Sequence, residues 1–300
     1  RVKVSGCEIA EETCASMLGE LRGICEKMET HPTFFEISLA LAMRWFRESE
    51  CEIIVLETGM GGKLDATTAV PADVCVITPI GLDHMEWLGD TLGAIAKEKA
   101  GIFVEGKPAL SSPQEEGARI VLEKEANAKR TPLEFITEPL NGYGLSLAGE
   151  HQRWNAALAV AALHRAGLPL NTDVLRHGLA SVSWPGRFEK IRPDVILDGA
   201  HNPAGADVCA DVFFTDFDPA GQRVLVVGCL RGREPIAMLE ALRPSDVVVV
   251  YSLSRLGRAG AAPTLALVER ITAAKARLVS LTEQIDTETP TGRLMLTILA

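Results

Sequence analysis

The apolar run Ile53, Ile54, Val55, Leu56 stops at Glu57, and Gly59, Gly61 and Gly62 follow at once. A second apolar run, in "DVCVITPI", leads to Asp83 and His84. In open parallel sheets ligands bind beyond the carboxyl ends of the strands. A carboxylate and an imidazole at neighbouring strand tips can share a divalent cation, typically Mg²⁺ where phosphates complete the shell. Glycines there let backbone N–H groups come close to phosphate oxygens. The plainer alternative is that Glu57 caps a helix and His84 bonds to the backbone.

Three further groups invite a chemical reading. Lys99 precedes the apolar Ala100-Gly101-Ile102. A lysine buried there must find an anion, lose its proton or be modified; otherwise it is a solvated surface lysine. Arg187, in "WPGRFE", stands at a domain join where it can reach across a cleft or form a structural ion pair. Asp198 and His201, in "LDGAHNPAG", end a strand before a helix opened by Asn202-Pro203, with proline suited to the first turn. Helix capping is the alternative for that pair.

The elements that must position these residues alternate. "PTFFEISLALAMRWFRE" has helical apolar spacing, and "CEIIVLE" and "DVCVITPI" read as strands covered on both faces. Helix "TLGAIAKEKAGIF", strand "KPALSS", and helices "QEEGARIVLEKEANAKR", "HQRWNAALAVAALHRAG" and "TDVLRHGLASV" follow. After Pro185 the alternation restarts with strand "DVILDG", helix "AGADVCADVFF", strand "RVLVVGCL", helix "EPIAMLEALR" and strand "DVVVVYSLS". Strands separated by helices imply parallel βαβ units.

The whole chain permits this. Its 300 residues, 47% of them hydrophobic, can build two domains with a large core. No apolar run approaches the ~18 residues of a membrane helix, and no leader-like targeting segment is read. The net charge of −10 argues against a broad nucleic-acid surface. Seven cysteines without a C-x-x-C pair read as reduced core cysteines of a cytoplasmic protein.

Taken together, "HPTFFE", "ETGMGGKLDATT", "ITPIGLDHMEWLGDTLGAIAKEKAGIF", "LAGEHQRWNAALA", "WPGRFE" and "LDGAHNPAG" resemble, in order, the folylpolyglutamate synthase and dihydrofolate synthase family of Mur-ligase-like amide ligases. The resemblance implies an α/β fold: a Mur-ligase-like central parallel-sheet domain over residues 1–184 and a smaller Rossmann-like C-terminal α/β domain over 185–240. It implies ATP-dependent addition of L-glutamate to folate or dihydropteroate through an acyl phosphate. Glu57 and His84 match metal ligands for Mg²⁺. Lys99 matches a carbamylated lysine, and Asn155, Arg187 and Asp198 match nucleotide contacts. His201 would lie near the nucleotide or the incoming amino acid. Lys63 and Thr68 stand where arginine and asparagine are usual. The family's G-x-x-G-K-[ST] phosphate loop is not found in these residues and is expected upstream of them; without it the phosphates lack a cradle.

The tail reads differently. "SLTEQIDTETPTGRLM", with Arg255 and Arg258, resembles the catalytic domain of serine recombinases of the resolvase–invertase type, so residues 241–300 are assigned to a resolvase-like piece. Ser254 stands where an aspartate is common, and that family's nucleophilic serine belongs to an N-terminal strand absent here. The alternative function is thus a recombinase fragment joined to a non-catalytic ligase remnant.

Overall fold

The computed structural model describes residues 2–216, 224–226, 247–250, 261–292 and 294. Cys229, the expected helix "EPIAMLEALR", Ser254, Arg255 and Arg258 lie outside them. The protein is α/β, and its chain divides into two compact units, residues 1–135 and 136–300. The second unit takes in the two helices after residue 149, which the sequence reading grouped with the central domain. Among the described residues no helix is long and apolar enough to cross a membrane.

The first unit opens with an antiparallel hairpin, β1 (Lys3–Val4) and β2 (Cys7–Glu8), turned by Ser5 and Gly6 at positive φ. Helix α1 (Glu11–Cys25), not foreseen, follows, then α2 (Phe34–Glu48). The Pro-Thr start of α2 is a capping box. Thr33 N–H donates to Glu36 Oε2 at 2.7 Å, and Glu36 N–H donates to Thr33 Oγ1 at 3.3 Å. Arg44 ties α2 to α1 through Glu20, 2.7 Å away.

Three parallel strands form this unit's sheet: β3 (Cys75–Ile77), β4 (Ala109–Ser111) and β5 (Leu133–Phe135), with Cys75 opposite Ala109 and Ala109 opposite Leu133. Short helix α3 (Met85–Leu88) and helix α4 (Leu92–Lys99) link β3 to β4, and α5 (Glu116–Lys129) links β4 to β5. Ile77, Ile95, Ala96, Ala118 and Leu122 form the buried core between sheet and helices.

The run at 53–56 corrects the sequence reading. It joins no ladder among the described residues, and Val55 is 87% exposed. Its β-branched apolar composition states a preference for burial on both faces, but a strand also needs a neighbour to accept its backbone hydrogen bonds.

The second unit contains α6 (Glu150–Arg165) and α7 (Thr172–Ser181), then β6 (Glu189–Arg192) and β7 (Val195–Leu197). β6 and β7 pair antiparallel with a register shift between Lys190 and Arg192, so "DVILDG" is half of a hairpin rather than a member of a parallel sheet. Helix α8 (Pro203–Asp216) follows. A four-stranded sheet then runs in the order β11-β10-β9-β8, from β8 (Val224–Val226), β9 (Val247–Val250), β10 (Arg277–Ser280) and β11 (Ile285–Asp286). β8, β9 and β10 are parallel, and β11 is antiparallel. Helix α9 (Ala261–Ala273) packs Leu267 and Ile271 with Val248, Val250, Leu278 and Ile285.

The cysteine expectation holds in part. All six described cysteines are free, but only Cys25 and Cys75 are buried; Cys7 is exposed.

Candidate functional site

In the first unit the loop after Glu57 is organised by Asp65. Its Oδ2 accepts from Gly59 and Met60 N–H, each at 3.0 Å, and its Oδ1 accepts from Thr67 N–H at 3.0 Å and Thr67 Oγ1 at 2.6 Å. Burial pushes the Asp65 carboxyl up, but the bonds from Thr67, Met60 and Gly59 outweigh it and hold it below the usual range. The glycine run therefore does not offer all its N–H groups to a phosphate, as the sequence suggested: those of Gly59 and Met60 are taken.

The glycines clear space for protein instead. A Cβ on Gly62 would lie 2.7 Å from the Glu98 carbonyl oxygen and 2.8 Å from that of Lys99. Lys63 N–H donates to the Glu98 carbonyl at 2.8 Å. From the other side, a Cβ on Gly101 would lie 2.1 Å from Lys63 Cα. Gly61, at φ +69°, would bring a Cβ to 3.0 Å from Leu88 of α3. One loop is thus docked on α3, which His84 precedes, and on the C-terminal end of α4, which Lys99 closes. Lys129 reinforces that end: its Nζ donates to the carbonyls of Ala100, Gly101 and Phe103 at 3.1, 2.7 and 3.2 Å. A lysine there opposes the negative end of the helix dipole.

Glu57 is exposed and has no hydrogen-bond or ion-pair partner among the described residues, so it caps no helix there. His84 is exposed and left-handed (φ 51°, ψ 37°); its backbone N–H donates to Asp83 Oδ1 at 2.8 Å. Its Nε2 stands 4.0 Å from the same oxygen. Lys99, expected to be buried, is half-buried, because it sits on the last turn of α4 just before the buried Ala100. Among the described residues no three His, Cys, Asp or Glu side chains group as metal ligands. A free exposed carboxylate still suits a hard cation that takes most of its oxygens from phosphates and water.

The second unit holds the other candidates. The Asp198 carboxylate joins two turns, its Oδ2 accepting from Phe188 N–H and its Oδ1 from Ala200 N–H, both at 2.7 Å. Gly199 N–H donates to the Gly186 carbonyl at 2.8 Å, so the segments around Arg187 and His201 are stitched together. Arg187 is exposed. His201, also exposed, donates from Nδ1 to the Gly199 carbonyl at 2.7 Å. Asn202 caps α8 by accepting from Gly205 N–H at 2.8 Å. Asn155, exposed on α6, donates to Gln152 Oε1 at 3.1 Å. His151, at the start of α6, and Cys209 of α8 feel the Asp198 charge. Burial depresses His151, which Asp198 opposes and Arg187 reinforces. Burial, then Asp198, pushes the Cys209 thiol up to about 11.

The Mur ligase middle domain family model matches residues 7–111, and the N-terminal domain model of resolvases matches 233–300. The dihydrofolate synthase/folylpolyglutamate synthase of Bacillus subtilis is 34% identical over 261 residues, 76% of this chain and 60% of that protein. The Escherichia coli enzyme of the same name is 36% identical over 225 residues, 69% of this chain and 52% of that protein. E. coli FolC, solved in complex with DHPP and ADP, superposes with a TM-score of 0.75 at 30% identity, over 94% of this chain and 70% of that one. The chain belongs to the folylpolyglutamate synthase/dihydrofolate synthase family. A Mycobacterium tuberculosis folylpolyglutamate synthase complexed with ADP superposes at 0.78 with 27% identity, over 99% of this chain and 73% of that one. The chain spans 60% and 52% of the length of the two curated synthases.

Within this synthase-family chain, three residues that shape the candidate regions escaped the sequence reading. Asp65 was legible: an aspartate two residues before a threonine is a common turn-capping pattern. Lys129 and His151 were not, because each acts on groups distant in sequence or through burial.

Proposed function

We propose that the chain supplies the central and C-terminal parts of an ATP-dependent carbon–nitrogen ligase that joins L-glutamate to folate or dihydropteroate. The observation that carries this is the docking of the Glu57 loop, through Gly61 and Gly62, onto the ends of the helices beside His84 and Lys99. That docking ties the loop that follows Glu57 to the helix that His84 precedes and to the helix that Lys99 closes.

In this reading Glu57 and His84 hold Mg²⁺, which neutralises phosphate charge when bound. Lys99, carbamylated, adds an anion beside it. Asn155, Arg187 and Asp198 face the nucleotide, with Arg187 at the phosphates and Asp198 fixing the turn that presents it. His201 lies near the nucleotide or the incoming amino acid. ATP passes its γ-phosphoryl group to the substrate carboxylate and leaves as ADP. The glutamate amine then attacks the acyl carbon, loses a proton and expels phosphate. We propose 1–184, 185–240 and 241–300 as the bounds of three stretches distinguished by family resemblance, and the cytoplasm, where ATP is abundant, as the location.

The test is phosphate release from Mg-ATP that requires both L-glutamate and a folate or dihydropteroate acceptor, with ¹³CO₂ NMR of Lys99 in parallel. A carbamate carbon signal lost in Lys99→Arg supports the assignment. Acceptor-independent phosphate release, or a Lys99 unmodified in bicarbonate, counts against it.

A further inference from the structure

One sheet crosses the boundary of the resolvase match. β8 lies outside the resolvase match, whereas β9, α9, β10 and β11 lie inside it. Yet β8 and β9 are hydrogen-bonded parallel neighbours, with Val224 opposite Val247, Leu225 opposite Val248 and Val226 opposite Val249. β10 continues the ladder on the far side, Val247 opposite Arg277 and Val250 opposite Ser280. Both edges of β9 are therefore used. The apolar layer beneath is contributed by the resolvase-like segment itself, with Val248, Leu267, Ile271, Leu278 and Ile285 each 1% exposed or less.

The comparisons point the same way. The two solved synthases superpose on a larger share of this chain than either of the two curated relatives matches in sequence. The physics allows this. Strand pairing is made by backbone groups and is indifferent to ancestry, and a central parallel strand asks only for apolar residues on both faces. The four valines of β9 satisfy that demand.

We infer that the resolvase-like segment is a structural graft: its strands complete the C-terminal sheet of the ligase, with β8 and β9 forming the seam. The segment is a partner for the ligase strand β8 and not a separate DNA-processing module. With β8 on one edge of β9 and β10 on the other, no further strand can add beside β9. The inference rests on family membership and strand register, and is independent of whether the chain ligates glutamate.

Cross-linking in the full chain tests the seam. Directly paired residues sit about 5 Å apart, within disulfide reach, whereas a two-residue offset places the Cα atoms about 8 Å apart, beyond it. Val226→Cys with Val249→Cys should form an intramolecular disulfide under mild oxidation, seen by peptide mapping. The offset pair Val226→Cys with Val247→Cys should give at least tenfold less. Equal yields from the two pairs, or none from either, overturn the register.

Hydrogen exchange gives a second reading that survives a poorly folding variant. Leu278→Asp should speed exchange at the amides of both 247–250 and 224–226 by at least tenfold. Loss of protection at 247–250 with 224–226 unchanged would show the tail to be an independent module. A covalent adduct with supercoiled DNA would also overturn the proposal.

Discussion

Gly101→Ala strikes the interlock at its tightest point. The added methyl would meet Lys63 Cα at 2.1 Å, its N at 2.2 Å and its Cβ at 2.6 Å. Two of these are backbone atoms, and ordinary carbon contacts lie near 3.5–4.0 Å, so the loop must retreat by more than about 1 Å. Overpacking of a fixed site costs roughly 1–3 kcal/mol, and backbone-on-backbone contact belongs at the upper end. A cost of about 3 kcal/mol lowers Tm by roughly 6–12 °C in a unit of this size. It should also free the Lys63 amide, now bonded to the Glu98 carbonyl. Thermal unfolding and hydrogen exchange at Lys63 N–H report the two effects separately. Gly178→Ala is the control: its added Cβ meets nothing within 4 Å inside α7, and it should stabilise by about 0.5–1 kcal/mol. If Gly101→Ala melts with the wild type and leaves Lys63 N–H protected, the interlock is wrong.

Asp65→Asn should cost about 1–3 kcal/mol in urea unfolding, since an amide cannot accept all four bonds. Because the folded Asp65 carboxyl lies below its usual range, the wild type should lose stability as pH falls from about 4 through that lower value, and Asp65→Asn should lack this slope. His151 is also depressed on folding, so the unfolded chain takes up its proton first. Stability should fall as pH drops from about 6.5 through the lower folded value, and His151→Phe should flatten that part of the curve. Cys209, with its thiol pushed up to about 11, should react with iodoacetamide at pH 8 at least tenfold more slowly than the exposed Cys7, as read by peptide mass mapping.

Much of the fold was legible because its signals are local. The capping box at Thr33 and Glu36 and the apolar faces of α4 and α5 declare helices without reference to the rest of the chain. The strand expected at 53–56 failed because a ladder needs a partner, which no local pattern supplies. "DVILDG" was placed in a parallel sheet because Glu189–Arg192, its hairpin partner, carries no strand-like alternation. At the candidate site the residue types were legible and their surroundings were not. A run of glycines announces that something must come close; here it is the carbonyl end of α4. Likewise "LDGAHN" displays an aspartate, but not that both its oxygens are engaged by Phe188 and Ala200.

The central claim is that Glu57, exposed and without a hydrogen-bond or ion-pair partner among the described residues, meets a nucleotide-bound cation. Titration calorimetry of the full chain with ATP, with and without Mg²⁺, tests it most directly, with Glu57→Gln beside the wild type. The account predicts binding at millimolar strength or better that weakens at least tenfold without Mg²⁺, and a Glu57→Gln variant that binds equally weakly with or without the metal. Wild-type binding indifferent to Mg²⁺, or a Glu57→Gln variant that keeps the full metal dependence, would contradict it.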